Sequence, residues 1–311
     1  MVILVYRLKI DFTISRSKKL IAVLGPTASG KTALAIALAN QYHAPIISAD
    51  SRQFYKEMHI GTAKPNAEEL AAAEHYFINN LSIHDHYTAG MFEKDAMALL
   101  EQLFQIHDIV ILVGGSTLYI HALLHGIDAM PEVSDPAKQQ VKNMYEQGGI
   151  EALRMQLQLL DPIYCTQADL NNTRRMMRAL EVCISSAKPY SSFLKNQGKP
   201  RVFDSIKLCL DLPREQLYER INQRCDQMLK QGLLEEVKTL FPYRHHTPLH
   251  TVGYSEFFNF LEGKCSYEEA VIKFKQHSRN YAKRQLTWFR REPDLTWGTA
   301  EELSRVVEHL L

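Results

Sequence analysis

The chain has 311 residues, enough for a large hydrophobic core and for more than one domain. It carries 36 Lys and Arg against 35 Asp and Glu, so a formal net charge of +1 gives no global attraction for nucleic acid, and any basic binding surface must be local. The five cysteines are scattered without a C-x-x-C pair, which excludes a disulfide framework and a zinc site of that type. The apolar start Met1–Tyr6 is broken by Arg7, well short of a signal peptide or membrane span. We expect a cytoplasmic protein with no membrane association.

A phosphate-binding loop is predicted directly after the apolar run Leu20–Leu24, which has the composition of a buried strand. The residues of this loop are Gly25, Pro26, Thr27, Ala28, Ser29, Gly30, Lys31 and Thr32. They have the G-x-x-x-x-G-K-[ST] spacing of a P-loop, and an Ala/Leu-rich helical segment follows to Tyr42. The glycines allow backbone N–H groups to point at a phosphate, and the helix N-terminus adds positive potential. The alternative is a glycine-rich turn with a solvated lysine.

Strands and helices alternate in the first 130 residues. The segment 44–49 predicts a second buried strand that ends at Asp50, and Asp108–Val113 predicts a core strand that leads into Gly114–Ser116. Ser116 is expected to be the N-cap of the next helix. This alternation predicts a parallel sheet with its ligand crevice beyond the carboxyl ends of the strands. Asp50 should therefore lie on the same rim as the P-loop.

The alternation stops at Met130. Residues 130–200 have helical periodicity and no convincing strand, so they predict an all-helical insertion. The α/β core, a P-loop NTPase-like parallel sheet flanked by helices, is then formed by residues 19–129 and 201–311, and residues 1–18 precede it as an N-terminal extension. The remaining predicted elements are a weak strand at Tyr76–Ile78, a helix over Ala89–Ile106, a strand over Ile206–Leu210, a long helix from Arg214 to about Phe241, and helices that begin at the capping boxes of Ser266 and Thr299.

Asp50 is the acidic residue with the most informative position. A P-loop kinase or nucleotide hydrolase usually has an acid after a central strand to hold Mg²⁺. Here the best central strand, Ile109–Val113, ends in Gly-Gly-Ser, and the acid lies one strand earlier. Asp50 can be a Mg²⁺ ligand, a general base or a helix N-cap, and its position in the sequence leaves these alternatives open.

The segment Ala270–Arg291 is a basic helix without a single acidic residue. Its basic residues are Lys273, Lys275, Arg279, Lys283, Arg284, Arg290 and Arg291. Phe274, Tyr281 and Trp288 share one face, which favours core packing for the aromatic residues. The charges form either a solvated face or a surface for a nucleic-acid backbone. Because every charged residue of the segment is basic, the second interpretation is favoured. A smaller basic cluster at Arg174–Arg178 supports an RNA or DNA substrate.

Taken together, these motifs resemble the bacterial type of the tRNA dimethylallyltransferase (tRNA isopentenyltransferase) family. The resemblance extends in order from about Lys19 to about Arg291. The matching segments are the P-loop, Ile47–Tyr55, Ile60–Pro65, Val113–Tyr119, Arg178–Glu181, Val252–Tyr254 and Lys283–Arg290. It implies transfer of a dimethylallyl group from dimethylallyl diphosphate to N6 of the adenosine 3′-adjacent to the anticodon, in tRNAs that read codons starting with U, with release of diphosphate. It also implies Mg²⁺ as cofactor and the tRNA anticodon stem-loop as partner. We expect a monomer.

The resemblance assigns roles to individual residues. Asp50 is similar to the family's general base, Ser116 replaces a threonine that contacts the diphosphate or the base, and Lys31 and Arg224 stabilise the leaving diphosphate. The P-loop then holds this diphosphate, and Thr32 offers its hydroxyl to Mg²⁺. The implied tRNA contacts are Asp50, Ser51, Arg52, Gln53, Ser116, Lys138, Arg174, Arg175, Met176, Met177, Arg178, His250, Thr251, Val252, Gly253, Tyr254, Ser255, Lys283, Arg284, Gln285, Leu286, Thr287, Trp288, Phe289 and Arg290. Gln53 is a candidate for recognition of the target base, and the insertion resembles the family's tRNA-clamping domain.

Two functions of another class remain as alternatives, a P-loop kinase of a small metabolite and a nucleic-acid-dependent ATPase. The chain also departs from the family at Ser116 and at Arg52, where a small or apolar residue is usual. Neither the kinase nor the ATPase accounts for the position of Asp50 together with the basic helix. We therefore expect the prenyltransferase.

Overall fold

The computed structural model describes residues 17–195 and 198–311. These residues form two compact units, one that ends at Leu124 and resumes over Arg201–Leu311, and a second over His125–Pro200. The boundary of the helical unit thus lies at His125, earlier than residue 130. Of the predicted N-terminal extension, residues 1–16 lie outside the described residues.

The first unit is built on a six-stranded sheet in which every described pair of strands is parallel. The strands are β1 Lys19–Leu24, β2 Ile46–Ala49, β3 His75–Tyr76, β4 Ile109–Gly114, β5 Asp204–Leu210 and β6 Leu295–Gly298. Their order is β3-β2-β4-β1-β5-β6. The chain moves outward from β1 to β2 and β3 and then inserts β4 between β2 and β1. The carboxyl ends of these central strands therefore meet at one rim, where open parallel sheets bind ligands.

The α-helices of the described residues are α1 Lys31–Tyr42, α2 Ala67–Ala72, α3 Ala89–Ile106, α4 Thr117–His125, α5 Asp135–Leu160, α6 Pro162–Gln167, α7 Thr173–Ser186, α8 Arg214–Lys230, α9 Leu233–Leu240, α10 Ser255–Leu261, α11 Tyr267–Phe289 and α12 Ala300–Leu310. Both capping boxes are confirmed, since Ser266 and Thr299 each bond reciprocally with a glutamate three residues on. The long helix predicted after Arg214 was wrong, because Gly232 adopts φ 100° and divides it into α8 and α9. No described helix is both long and apolar enough to cross a bilayer.

Helices cover both faces of the sheet, which explains why the central strands are apolar throughout. Alternate residues of β1 point to opposite faces: Leu20 and Leu24 pack in the core on the side of α3, α8 and α11. Ile21 and Val23 pack on the other side, against α1 and α12. All four side chains are completely buried. Because β1 is buried on both faces, its position in the sheet is fixed, and so is the position of Gly25 at the start of the loop.

The second unit has its own small core, formed by residues of α5 and α7 such as Val141, Leu157 and Met176. Helix α5 is kinked at Gly149, which adopts φ 61°. The fully buried Asp161 caps α6 by accepting a hydrogen bond from the N–H of Tyr164 at 2.9 Å. This unit therefore folds around α5–α7, as the helical periodicity predicts.

Candidate active site

The P-loop connects β1 to α1 in a conformation that leaves polar groups exposed to a ligand. Ala28 and Gly30 both have positive φ, 63° and 95°, a conformation that is rare for alanine and is typical of functional loops. A side chain at Gly25 would lie 2.8 Å from the hydroxyl of Ser29. That hydroxyl is buried and has no hydrogen-bond partner in the described part of the chain. Buried polar atoms are almost always paired, so the loop is shaped for an oxygen-rich ligand such as a phosphate.

Two cationic side chains lie close together beside this loop. Burial, and then the positive charge of Arg224, lower the pKa of Lys31 from 10.5 to about 8, although the Asp50 carboxylate opposes the change. Burial also lowers the pKa of Arg224, a residue of α8 whose Nη1 donates to the hydroxyl of Thr27 at 3.4 Å. Both side chains are half-buried, and two neighbouring cations that are partly withdrawn from solvent are unfavourable unless an anion joins them. Lys31 and Arg224 line one cavity, and this end of it suits an anionic group.

Asp50 follows β2 and lines the same cavity as Lys31 and Arg224. One of its carboxylate oxygens accepts the N–H of Arg52 at 3.0 Å, and its carbonyl accepts the N–H of Gln53 at 3.2 Å. The residues that follow form turns, not an α-helix. The helix-cap alternative for Asp50 is therefore wrong, and the roles of base and metal ligand remain.

Ser116 stabilises the turn that carries Asp50. Its hydroxyl accepts the N–H of Ser51 at 2.9 Å and donates to the Ser51 hydroxyl at 3.1 Å, although the two residues lie on separate strand–loop connections. Ser116 is also almost buried, with 8% of its surface exposed. It stands directly before α4, and its carbonyl accepts the N–H of Ile120. The Ser116 hydroxyl therefore holds the loop after β2 next to Gly114 and Gly115.

The cavity combines the charged end with an apolar wall. Along α8, Ile221, Cys225 and Met228 lie on the same face as Arg224, at spacings of three and four residues, and Phe274 of α11 completes this wall. Such a cavity suits a ligand that has a phosphate group at one end and a hydrocarbon at the other.

Gln53 is held in one orientation by hydrogen bonds to other residues that line the cavity. Its amide nitrogen donates to the carbonyls of Thr62 at 3.2 Å and Ala63 at 3.1 Å, and its oxygen accepts the Ser48 hydroxyl at 3.3 Å. Gln53, Thr62 and Ala63 all line the cavity. Since both hydrogens of the amide are used, only its oxygen has capacity left, as an acceptor for an amino group.

The basic helix α11 divides its charges between internal contacts and solvent. Lys275 forms an ion pair with Asp226 at 2.6 Å, and Arg279 donates to Asn222 at 2.6 Å. The basic side chains that remain exposed are Lys273, Lys283 and Arg284 of α11, and Arg290 and Arg291 directly after it. Most of the basic residues of this helix, including those predicted to contact tRNA, are thus available to a phosphate backbone.

Four of the side chains predicted to contact tRNA are buried, so they cannot contact it directly. Tyr254 and Phe289 are completely buried in the first unit, and Met176 is completely buried in the core of the second. Gln285 is 3% exposed and connects two loops of the site. Its oxygen accepts the N–H of Thr27 at 2.9 Å, and its nitrogen donates to the carbonyl of Gly115 at 2.8 Å. Gln285 therefore supports the site from within, whereas Tyr254, Phe289 and Met176 belong to the hydrophobic cores.

The other predicted tRNA contacts are accessible to different degrees. Thr251 and Val252 line the cavity, as Arg52 does. Thr287 and His250 are exposed, whereas Ser255, Leu286 and Trp288 are half-buried and Gly253 is buried. In the second unit the basic residues Lys138, Arg174, Arg175 and Arg178 are exposed and Met177 is half-buried. Lys138 and Arg178 have acidic partners on their own helices, Asp135 at 2.8 Å and Glu181 at 3.8 Å.

Tyr281 is a residue of the site that the sequence pattern assigns to the core. It lines the cavity, and its pKa is raised to about 12 by burial and by the Asp50 carboxylate, while the Ser116 hydroxyl acts in the opposite direction. The seven-residue spacing from Phe274 to Trp288 does place these residues on one face. That spacing cannot show whether the face meets the core or a cavity.

Comparison with known proteins finds matches over most of the chain. The model of the family described as IPP transferase matches residues 53–292. A tRNA dimethylallyltransferase of Christiangramia forsetii is 48% identical over 290 residues, which cover 93% of this chain and 96% of the relative. The crystal structure of a tRNA isopentenylpyrophosphate transferase from Bacillus halodurans has a TM-score of 0.69 and 31% identity, and the match covers 94% of this chain and 95% of that one.

A eukaryotic dimethylallyltransferase, in crystallographic snapshots of its action on tRNA, has a TM-score of 0.75 and 28% identity. That match covers 93% of this chain and 75% of the eukaryotic chain. These relatives match 93–94% of this chain. By sequence and by fold, this chain belongs to the IPP transferase family.

Proposed function

We propose that this chain transfers the dimethylallyl group of dimethylallyl diphosphate to N6 of the adenosine 3′-adjacent to the anticodon, in tRNAs that read codons starting with U. The observation that carries the proposal is the single cavity in which Lys31, Arg224 and Asp50 lie together with an apolar wall. The apolar wall offers the hydrocarbon part of this donor a surface to pack against. Membership of the IPP transferase family also favours prenyl transfer over the kinase.

The diphosphate of the donor occupies the P-loop. As the allylic C–O bond breaks, its electron pair stays on the leaving diphosphate, and the backbone N–H groups of the loop, Lys31 and Arg224 stabilise the growing negative charge. The orphaned Ser29 hydroxyl donates a further hydrogen bond to this group. The bound anion raises the pKa of Lys31 again, so that the side chain is fully charged during the reaction.

The exocyclic amine of the adenine is the nucleophile of the reaction. Its N6 forms the new C–N bond to the allylic carbon, and Asp50 accepts the proton that N6 releases. Gln53 offers its amide oxygen to the second hydrogen of the amine. To enter the cavity the base must leave the stack of the anticodon loop, which costs a few kcal/mol and is easiest in a single-stranded loop.

Mg²⁺ is the cofactor in this proposal. The Thr32 hydroxyl lines the cavity next to Lys31 and has no hydrogen-bond partner among the described residues, and Mg²⁺ prefers such oxygen ligands. The residues therefore fit the ion, with Thr32 as its protein ligand. When bound, Mg²⁺ adds positive charge to the diphosphate and lowers the barrier to its departure.

The anticodon stem-loop binds the exposed basic residues of α11 in the first unit and those at the start of α7 in the second. The proposal includes the clamping of tRNA by the helical unit, a cytoplasmic location and a monomeric enzyme. Phosphate contacts of this kind give affinity and orientation, whereas the cavity selects the base.

The test is incubation of the purified protein with Mg²⁺, dimethylallyl diphosphate and unmodified tRNA, followed by mass spectrometry of the nucleosides. The proposal predicts an adenosine heavier by one C₅H₈ unit, located next to the anticodon. Phosphorylation of a metabolite from ATP, with no prenylated nucleoside, would refute it.

A further inference from the structure

A single carboxylate that does not line the cavity holds the cavity turn, residues 59–65. Glu236 on α9 accepts hydrogen bonds from consecutive backbone N–H groups of this turn. The donors are His59 at 3.1 Å, Ile60 at 2.8 Å and Gly61 at 3.0 Å. The hydroxyl of Tyr254 donates to the same carboxylate at 2.6 Å. Hydrogen bonds to an ionised group are the strong ones, so this contact fixes the turn firmly.

Tyr254 also determines how closely the turn can approach. A Cβ at Gly61 would lie 2.5 Å from a ring carbon of Tyr254, so only glycine fits between the turn and the ring. Burial and the negative charge of Glu236 raise the pKa of Tyr254, and its hydroxyl therefore keeps the proton that it donates. The carboxylate and the ring together define one position for the turn.

The other side of the cavity turn reaches the reacting groups. Gly61, Thr62 and Ala63 line the cavity together with Asp50. Gln53 donates to the carbonyls of Thr62 and Ala63, and its own N–H is accepted by the carbonyl of Asp50. A displacement of the turn therefore moves Gln53, which is part of the same short turn as the base.

We propose that Glu236 is a positioning residue for the transfer reaction, which holds the cavity turn and thereby sets Gln53 and Asp50 against the bound donor. The inference rests on the proposed function. Among the described residues, no hydrogen bond joins the turn to Lys31 or Arg224, whose partners are Pro26 and Thr27. Loss of the Glu236 carboxylate thus misplaces the base and leaves the diphosphate contacts intact.

The test uses Glu236→Gln, which keeps the shape of the side chain but places an NH₂ donor among N–H donors. We expect kcat to fall about 10- to 100-fold, the size of effect produced by a small misplacement of reacting groups. The affinity and the stoichiometry of inorganic pyrophosphate, measured by calorimetry, remain those of the wild type. The control is Glu235→Gln on the same helix, an exposed residue paired with Lys238, and it keeps the kcat of the wild type.

An unchanged kcat in Glu236→Gln would overturn the inference. So would a loss of pyrophosphate-binding stoichiometry large enough to explain the whole decrease in kcat. If this variant does not fold, Tyr254→Phe replaces it, because the ring still covers Gly61 and only the hydroxyl is lost. Tyr254→Phe must then lower kcat by a smaller factor, and an unaltered kcat would overturn the inference. Failure of the wild type to transfer the prenyl group is a distinct result, which would refute the proposed function itself.

Discussion

Replacement of Lys31 by methionine should stabilise the ligand-free protein while it removes activity. Methionine keeps most of the length of the side chain but removes the charge. In the folded protein this charge is partly withdrawn from solvent and lies beside Arg224. A pKa that falls from 10.5 to about 8 on folding corresponds to a destabilisation of about 3 kcal/mol when the lysine is charged. We expect Lys31→Met to raise the free energy of unfolding by up to about 3 kcal/mol at pH 7.

The pH dependence gives the sign of this effect independently. Below pH 8 the lysine is protonated in both states, so the whole penalty is present. Between about pH 8 and 10.5 the unfolded chain binds more protons than the folded protein, and the stability of the wild type therefore rises with pH. The advantage of Lys31→Met should accordingly shrink over this range.

The assay is urea denaturation of wild type and Lys31→Met at pH 7 and at pH 9.5, without phosphate or pyrophosphate. Lys56→Met serves as control, because Lys56 is an exposed lysine outside the cavity. A Lys31→Met protein that is no more stable than the wild type at pH 7 would refute the reasoning. It would mean that the two cations are not strained before the ligand binds.

Two further predictions concern the remaining parts of the site. Joint replacement of Lys283 and Arg284 by glutamine should weaken tRNA binding and reduce the salt dependence of the affinity by about one unit of log–log slope per lost phosphate contact, as measured by titrations at several salt concentrations. Gln285→Leu leaves the N–H of Thr27 and the carbonyl of Gly115 buried without a partner. It should lower the free energy of unfolding by about 2–5 kcal/mol and weaken pyrophosphate binding, as measured by denaturation and calorimetry.

Matched variants show whether these effects are specific. Arg305→Gln removes an exposed basic residue of α12 and should leave the salt slope for tRNA unaltered. Thr287→Val changes an exposed residue of α11 close to Gln285 and should cost little stability. An unaltered slope in the Lys283 and Arg284 variant would show that this face is merely solvated. If Gln285→Leu binds pyrophosphate as tightly as the wild type does, the contact of Gln285 with the P-loop does not support the site.

The parts of the site that could be predicted from the sequence are those whose chemistry is local. The P-loop combines its phosphate-binding groups within eight residues, and Asp50 directly follows a recognisable buried strand. The sheet rule then predicts that both lie on one rim, and the structure confirms that they line one cavity. A capping box is equally local, which explains why the starts of α11 and α12 were predicted correctly.

The parts that were missed depend on contacts between distant segments. Gln285 reaches Thr27 across 258 positions of the chain, and Glu236 reaches Ile60 across 176. No spacing rule relates such residues, and an aromatic stripe like that of Tyr281 is equally compatible with core and cavity. The break at Gly232 was missed because a single glycine costs a helix only about 1 kcal/mol, which tertiary contacts can decide either way.

The central claim is that Asp50 accepts the proton of an amine that is alkylated within the diphosphate cavity. The most direct measurement is the single-turnover rate of Asp50→Asn with saturating dimethylallyl diphosphate, Mg²⁺ and an unmodified anticodon stem-loop, together with the dissociation constant of the stem-loop. We expect a rate lower by about 10²–10⁴-fold with nearly unchanged affinity, since asparagine keeps the shape but cannot accept the proton. A rate equal to that of the wild type would contradict the assignment of Asp50 as the base.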